Sequence, residues 1–212
     1  MKNGSQSTLE PRKSPVQARS VASVDAILKA TIQVLLKVGK ERLTTTRVAA
    51  RGGVSVGTLY QYFPNKSALL KAALLRHLDE VATAVETVCR EQRGSTLEKM
   101  ATELGTRFLE AKMREARTSV AFYAVSSDVD GAKILRDMNE RFTRAMLAAF
   151  ATAQDELTTD PQLVVAMLQG IMAGISRRLL ESASPERDYE RLRDEMALLV
   201  GAYIRVRSRP RP

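Results

Sequence analysis

The sequence has few of the residues on which disulfide frameworks, metal sites and most enzymes depend. Its 212 residues include one cysteine, Cys89, one histidine, His77, and no tryptophan. One cysteine excludes an internal disulfide and fits a reducing compartment, and one histidine leaves little material for a catalytic triad or dyad. No CxxC, HExxH, P-loop or GxGxxG pattern occurs. We therefore expect no enzyme, no metal and no cofactor, with Cys89 packed as a small apolar side chain.

The sequence also lacks a continuous run of 18 apolar residues and an apolar stretch near its amino terminus. These absences predict no membrane span and no secretion signal, and thus a cytoplasmic protein. Residues 1–18 are rich in Ser, Pro, Lys and Arg and have no apolar period, which predicts a disordered basic arm. Either Arg12, Lys13 and Arg19 reach into a DNA minor groove, or the arm is a solvated tail with no defined role.

The basic charge is concentrated at one end of the chain. Residues 1–66 contain 11 Lys or Arg and 3 Asp or Glu, which is +8 of the formal net charge of +9. Residues 67–204 contain 18 basic and 21 acidic side chains, and Arg205, Arg207, Arg209 and Arg211 follow. This asymmetry indicates a polyanionic partner that meets one end of the protein.

Residues 44–66 have the pattern of two short helices joined by a tight turn. The hydroxyls of residues 44–46 can cap the first helix, and Gly52 and Gly53 suit the left-handed backbone with which a helix often ends. Ser55 is the expected N-cap of the second helix, and Pro64 stops it. Such a pair of helices is how a chain presents a helix to DNA.

The second helix, residues 56–63, is expected to bury one side and to expose the other. At about 100° per residue, Leu59 and Phe63 share the packed side. The opposite side carries a glycine, a hydroxyl, a phenol and an amide: Gly57, Thr58, Tyr60 and Gln61. The glycine permits a close approach of backbone, and the polar groups can donate to phosphates or to bases in a major groove.

The run VAARGGVSVGTLYQYFPNKSALL, residues 48–70, resembles the DNA-binding segment of the tetracycline-repressor-like (TetR) family of bacterial regulators. The resemblance covers about the first third of the chain, and its informative positions are specific only together: Thr45, Ala49, Gly53, Val54, Ser55, Gly57, Thr58, Tyr60, Tyr62, Phe63, Lys66 and Leu69. It implies a dimer with a three-helix DNA-binding domain followed by a helical ligand-binding domain. It also implies DNA contacts, mostly to phosphates, by these residues: Thr45, Thr46, Thr58, Tyr60, Tyr62 and Lys66. Val56 departs from many relatives, which have a polar or basic side chain there, and this favours contact with a thymine methyl group.

Beyond residue 66, amphipathic helices follow one another and strand signals are nearly absent, so the predicted fold class is all-α with about nine helices. Helix 1 is expected over residues 19–38 with Gly39 as its stop, and helix 4 over residues 66–91. A capping box at Ser95 and Glu98 predicts the start of helix 5, which runs to about residue 117. The later helices are expected at 118–126, 131–153, 161–182 and 185–205. The predicted domains are the arm (1–18), a helix-turn-helix DNA-binding domain (19–66), a ligand-binding and dimerisation domain (67–205) and a basic tail (206–212).

The last two helices have the pattern of a dimer surface, because apolar and small residues recur along one stripe of each. The predicted dimer residues are Met167, Gly170, Ile171, Gly174, Ile175, Leu192, Met196, Leu199 and Tyr203. The alternative is that both stripes bury only intrachain core. The family resemblance favours the dimer.

A ligand pocket is expected within the body because Met and Phe side chains suit an adaptable apolar cavity. The candidate lining residues are His77, Met100, Phe108, Met113, Phe122, Tyr123, Met138, Phe142, Met146 and Met172. For any one of them, plain core packing is the competing interpretation, and His77 is either a satisfied core histidine or a sensor of ligand or pH.

These patterns together predict a ligand-responsive, DNA-binding transcriptional regulator. The hypothesis is a homodimeric repressor that binds a palindromic operator on double-stranded DNA and is released by a small apolar or amphipathic effector. Two other classes remain open. An all-helical small-molecule carrier would not need the basic end, and a nonspecific nucleic-acid packaging protein would not need the large apolar body.

Overall fold

The computed structural model describes residues 18–126 and 129–211, with side chains described from residue 20 onward. The predicted basic arm lies outside these residues apart from Ala18, and so do Arg12, Lys13 and the side chain of Arg19. Within the described part, the chain forms nine helices and two short strands. The all-α prediction is confirmed. The helices are α1 (Ala18–Arg42), α2 (Thr45–Gly52), α3 (Val56–Tyr62), α4 (Lys66–Glu91), α5 (Leu97–Arg114), α6 (Ala116–Ser126), α7 (Gly131–Phe150), α8 (Pro161–Leu180) and α9 (Pro185–Arg207).

Local sequence signals explain where most of these helices begin and end. Gly39, with φ 76° and ψ 168°, interrupts α1 where the stop was predicted. Asn65 caps α4 by accepting a 2.8 Å hydrogen bond from the Ala68 amide. Pro161 and Pro185 occupy the first turns of α8 and α9, where a missing N–H costs nothing.

The predicted capping box at Ser95 is wrong, because the N-cap of α5 is Thr96. Its hydroxyl accepts from the Lys99 amide at 3.3 Å. A carboxylate that is distant in sequence supplies a second acceptor at this helix start, since the Leu97 amide donates to Asp155 Oδ1 at 2.7 Å. The helix therefore begins one residue later than the local pattern indicated.

Two strands that the sequence did not predict join the end of α9 to the α7–α8 connection. β1 (Asp155–Leu157) pairs in antiparallel fashion with β2 (Ser208–Pro210), with Glu156 opposite Arg209. The ion pair Arg209 Nε–Glu156 Oε1, at 2.6 Å, reinforces this register. The predicted basic tail from residue 206 is therefore structured as far as Pro210, first as the end of α9 and then as a strand.

The chain divides into two compact units, and each has its own core. Unit 1 consists of Met1–Leu78 and Arg117–Ile134, and unit 2 of Asp79–Ala116 and Leu135–Pro212, as far as these ranges are described. The division points, after residues 78, 116 and 134, differ from the predicted boundary after residue 66, because the first half of α4 and nearly all of α6 cluster with the first three helices. The core of unit 1 is built around Ile27, Leu43, Val48, Leu59, Phe63, Leu69 and Leu70.

The core of unit 2 is a continuous apolar cluster to which α4, α5, α7, α8 and α9 contribute. α5 packs against α9 and α8, and α9 packs against α8. An arginine on α7 ties that helix to the second half of α4: Arg141 donates to Asp79 at 2.5 Å and to both oxygens of Glu86 at 2.5 and 2.7 Å. The hydrogen bonds from Arg141 hold the pKa of the Glu86 carboxyl below its ordinary value, against the opposing effect of burial.

Candidate nucleic-acid interface

The turn between α2 and α3 is held by backbone and hydroxyl contacts. The Thr44 hydroxyl accepts from the Arg47 amide at 3.3 Å and so starts α2. Gly53 ends α2 in the left-handed conformation, with φ 66°, and the next amide, of Val54, donates to Ala49 O at 3.0 Å. Ser55 then caps α3 by accepting from the Thr58 amide at 2.9 Å. These contacts confirm the predicted helix-turn-helix geometry at each of its capping positions.

One face of α3 is exposed. Leu59 and Phe63 are 0% and 2% exposed and anchor the helix in the core of unit 1, whereas Tyr60 is 39% exposed. The exposed face, called here the reader face, consists of Val56, Gly57, Tyr60 and Gln61, with Thr58 half-buried at its edge. Among the described residues, a Cβ at Gly57 would meet only the Ser55 hydroxyl, at 3.7 Å, so this part of the chain leaves the space over the backbone open to a partner.

Two hydroxyl pairs fix the polar groups beside the reader face. Thr45 Oγ1 and Tyr60 OH lie 3.0 Å apart and join α2 to α3. Ser55 Oγ and Thr58 Oγ1 lie 2.8 Å apart at the start of α3. In each pair one hydroxyl donates to the other, which leaves the second hydroxyl proton for an outside acceptor. The arrangement can therefore offer at least one donor per pair to a phosphate oxygen, a property that sequence spacing did not reveal.

Lys66, which the family resemblance predicts as a DNA contact, already has a partner within the protein. It is half-buried, and its ammonium donates to the Lys40 carbonyl oxygen, at the end of α1, at 2.7 Å. Lys66 stands in the first turn of α4, where a cation opposes the helix dipole, but a cation at the last carbonyls of a helix is stabilising. The contact with the end of α1 therefore partly offsets the unfavourable position at the start of α4. An ammonium has three N–H donors, and two remain for other acceptors.

Two exposed arginines near α2 were counted in the basic charge but not singled out from the sequence. Arg47 donates to the Arg42 carbonyl at 2.7 Å, which holds its guanidinium against the α1–α2 corner. Arg42 is itself exposed, as is the predicted phosphate-binding residue Thr46, whereas Tyr62 is half-buried. The signal that could have identified these arginines is their position within two residues of the hydroxyl run 44–46.

The comparisons with known proteins agree with this geometry. Residues 27–73 match the family model described as bacterial regulatory proteins, tetR family, and residues 96–204 match the model of the tetracyclin repressor-like C-terminal domain. The HTH-type transcriptional repressor KstR of Rhodococcus jostii is 32% identical over 165 residues, which cover 72% of this chain and 72% of that protein. The chain belongs to the TetR family. As a TetR-family protein it is a DNA-binding transcriptional regulator of a ligand-responsive kind, and a carrier without specific DNA binding is not favoured.

Other relatives and solved structures extend the TetR likeness over most of the chain. The HTH-type transcriptional regulator BetI 1 of Chromohalobacter salexigens is 27% identical over 118 residues, which cover 55% of this chain and 58% of that protein. A TetR-family regulator of Mesorhizobium loti, at 18% identity, covers 90% of this chain and 98% of its own with a TM-score of 0.76. GusR of Salmonella enterica, also at 18% identity, covers 91% of this chain and 100% of its own with a TM-score of 0.68. At such identities the structures show a shared fold.

The predicted pocket residues of this TetR-family protein fall into both units. In unit 1, His77 is 3% exposed, its Nε2 lies 2.9 Å from Ser119 Oγ, and its ring stacks on Phe122 at 5.5 Å; Tyr123 is 45% exposed. In unit 2 the others are core or border it: Met100, Phe108, Met113, Met138, Phe142, Met146 and Met172. Grooves of about 410, 410 and 240 Å³ in unit 2 are lined by other residues. In this structure His77 and Phe122 are buried within unit 1, and the seven candidates of unit 2 belong to its core or border it.

The thiol of Cys89 and the acidic side chains are the remaining groups whose chemistry the structure describes. Burial raises the pKa of Cys89 to about 11, so its thiolate is scarce near neutral pH. Within the described residues, no three His, Cys, Asp or Glu side chains are grouped in a way that could hold a metal ion.

The predicted dimer residues form a partly exposed surface on α8 and α9, with one exception. Met167 and Leu199 are 47% and 49% exposed, and Gly170 and Gly174 are exposed with no atom of the described part of the chain within 4 Å of an added Cβ. Half-buried positions border the core of unit 2: Ile171, Ile175, Leu192 and Tyr203. Met196 does not belong to this surface. It is 0% exposed, and its Cε lies 3.4 Å from the Cβ position of Gly105 on α5.

Proposed function

We propose that this protein is a homodimeric transcriptional repressor that binds a pseudo-twofold operator and releases it when a small apolar or amphipathic molecule occupies the body. The observation that supports this proposal best is the reader face. Gly57 leaves open space above α3, and the Thr45–Tyr60 hydroxyl pair stands beside it. It would act in the cytoplasm, where its operator lies, and neither catalysis nor a cofactor is part of the proposal.

Affinity in this proposal comes mainly from phosphates. Tyr60 and Thr45 supply a hydroxyl donor, Thr46 and Arg47 lie beside them, and Lys66 retains two N–H donors. Contacts to phosphate fix position and are sequence-independent.

Sequence preference in this proposal comes from the exposed side chains of α3 that can reach base edges. The Gln61 amide can pair with adenine, and the methyl groups of Val56 can contact a thymine methyl. Both side chains are exposed on the reader face. Tyr62 is half-buried and is proposed as a phosphate contact at the edge of this face.

Dimerisation through α8 and α9 would set the spacing of the two reader faces. In helix-turn-helix dimers the half-sites lie about 34–36 Å apart or a multiple of this distance. An effector that prefers a dimer with another spacing would lower operator affinity by its differential affinity for the two states. Within unit 2, the half-buried Met113 and Met138 border the core cluster, and adaptable thioethers at that border suit an apolar ligand.

In vitro selection from a random double-stranded DNA pool tests the central claim. We expect enrichment of an inverted repeat with half-sites spaced by about one helical turn or a multiple of it. Tyr60→Phe, which removes only a hydroxyl, should weaken binding about tenfold through one lost hydrogen bond per reader face. Tyr189→Phe, with a half-buried phenol in unit 2 outside the predicted dimer residues, is the matched control and should bind like the unmodified protein. Equal affinity for random and selected DNA would instead support a packaging protein.

A further inference from the structure

The α8–α9 hairpin has two levels of different chemistry. Four residues connect the helices and the helices contact each other, so the end of α8 lies beside the start of α9. At the level far from the connection, apolar side chains are exposed: Leu163 (52%), Met167 (47%), Leu198 (61%) and Leu199 (49%). At the level near it, the surface is charged. The exposed glycines Gly170 and Gly174 lie between the two levels.

The charged level contains side chains of both signs that make no ion pair within the described residues. A groove of about 410 Å³ is lined by Arg178, Arg191 and Glu195 together with Asp188 and Leu192. The neighbouring arginines are already paired, Arg177 with Glu181 at 2.8 Å and Arg193 with Asp194 at 2.8 Å. The groove therefore presents two arginines and one glutamate whose charges are available to a partner.

We propose that a second copy of this chain occupies the groove and that reciprocal ion pairs between Arg178 or Arg191 of one copy and Glu195 of the other select self-pairing. The proposal rests on the homodimer of the proposed function and adds the side chains that decide which chains pair. A surface that meets itself across a twofold axis must be self-complementary, and a patch with both signs of charge meets that requirement. A purely cationic patch would have indicated an anionic partner.

The two levels also give the direction of the twofold axis. A twofold axis parallel to the two helices brings the apolar level of one copy against the apolar level of the other, and the charged level against the charged level. An axis across the hairpin would place Arg178 against Leu163 or Met167 of the second copy and bury a charge without a partner, which is costly. Like levels therefore meet, and the ion pairs form twice per dimer.

A lipid membrane is the competing occupant, because α8 is the one described helix with the length and composition to cross a bilayer, and 39% of that stretch is buried inside the subunit. The charged level opposes this occupant. A helix lying on a membrane would bring Glu195 and Asp188 toward anionic lipids along with the arginines.

Charge reversal with heterodimer rescue tests the proposal. The first variant is Arg178→Glu with Arg191→Glu, and the second is Glu195→Arg. Each should weaken its own dimer about tenfold or more in sedimentation at low salt, since like charges would then face each other. Mixed in equal amounts, the two variants should form heterodimers with nearly the original affinity. At about 1 M NaCl, where the Debye length is about 3 Å, the differences should shrink.

The control Arg93→Glu with Lys99→Glu makes the same change of charge at exposed positions outside α8 and α9 and should leave the dimer unchanged. The proposal would be overturned if each charge-reversal variant alone dimerised like the control and the mixture showed no preference for heterodimers. The double variant Leu163→Asp with Leu199→Asp distinguishes a failure of the ion-pair proposal from dimerisation through a different surface. If this variant is a monomer, α8 and α9 form the dimer. If it is still a dimer, the interface lies elsewhere, and both the ion-pair proposal and the α8–α9 interface of the proposed function are overturned. Binding of the original chain to phosphatidylglycerol vesicles that this last variant loses would assign the face to a membrane and also overturn the proposal.

Discussion

Replacement of Lys66 by methionine tests both a structural role and a DNA contact of one side chain. The ammonium donates to the Lys40 carbonyl at 2.7 Å, and two of its N–H groups are available for a phosphate. Methionine keeps the apolar stem and removes only the charged head. We expect both roles to be lost together, so that both stability and DNA binding decrease.

The structural loss follows from one charge-assisted hydrogen bond at a helix C-terminus. Such a bond contributes about 1.5–3 kcal/mol when well buried, and a cation at a helix end about 0.3–1 kcal/mol near the surface. Because Lys66 is only half-buried, we expect the free energy of unfolding to fall by about 1–2 kcal/mol. For DNA, each phosphate contact contributes about 0.9 to the slope of log K against log salt, so two reader faces should lose about 1.8.

Denaturant unfolding and fluorescence anisotropy on operator DNA, measured over a range of NaCl concentrations, give the two quantities. Lys66→Arg should keep the slope because it keeps the cation, and Lys99→Met, at an exposed lysine on α5, should change neither quantity. A stability loss with an unchanged slope would refute the phosphate contact. An unchanged stability would refute the structural importance of the Lys40 bond.

Three further predictions concern base reading, the α9 core and the α4–α7 contact. Gln61→Ala should change which DNA sequences are preferred, and an equal loss on every sequence in a selection assay would contradict base contact. Met196→Ala should lower the free energy of unfolding by about 2–5 kcal/mol, whereas Leu135→Ala, at a 49% exposed leucine on α7, should change it by less than about 1 kcal/mol; chemical unfolding of the two variants tests the difference in burial. Arg141→Met should cost about 1–2 kcal/mol at neutral pH, because the guanidinium binds partly exposed carboxylates. Since Arg141 lowers the pKa of Glu86 from its ordinary 4.5, this loss should be constant from about pH 7 to 5 and should shrink as pH falls below about 4.5, and a pH-independent difference would contradict the assignment.

Signals that act over a few residues could be predicted from the sequence. The Ser55 cap, the left-handed Gly53 and the proline starts at Pro161 and Pro185 depend on the geometry of neighbouring peptide units, so the residue type at each position determines them. The exposed reader face was predicted by the same local reasoning. Leu59 and Phe63 lie on one side of the helix and pack into the core, so the opposite side is left exposed.

Contacts between distant segments could not be predicted in this way. The N-cap of α5 is Thr96 and not the predicted Ser95. Asp155, about 60 residues later, supplies a second acceptor at the start of this helix. The apolar stripe in the sequence of α9 showed which side of the helix is apolar. It did not show where on that side the buried positions end and the exposed positions begin. Met196 lies on the core side of that boundary and Leu199 on the other, and only the position of α5 decides this.

The packing of α5 against α9 has a consequence for biosynthesis. Roughly eighty residues separate the end of α5 from the middle of α9, and β1 can pair only after β2 has been synthesised. While α5 emerges from the ribosome, its apolar face, with Leu104 and Phe108, has no permanent cover. The body can close only after α9 and β2 have been translated, whereas α1, α2 and α3 can assemble earlier from contacts among themselves. Nascent chains that stall before α9 would therefore carry assembled first helices and a body whose apolar face is still exposed to solvent.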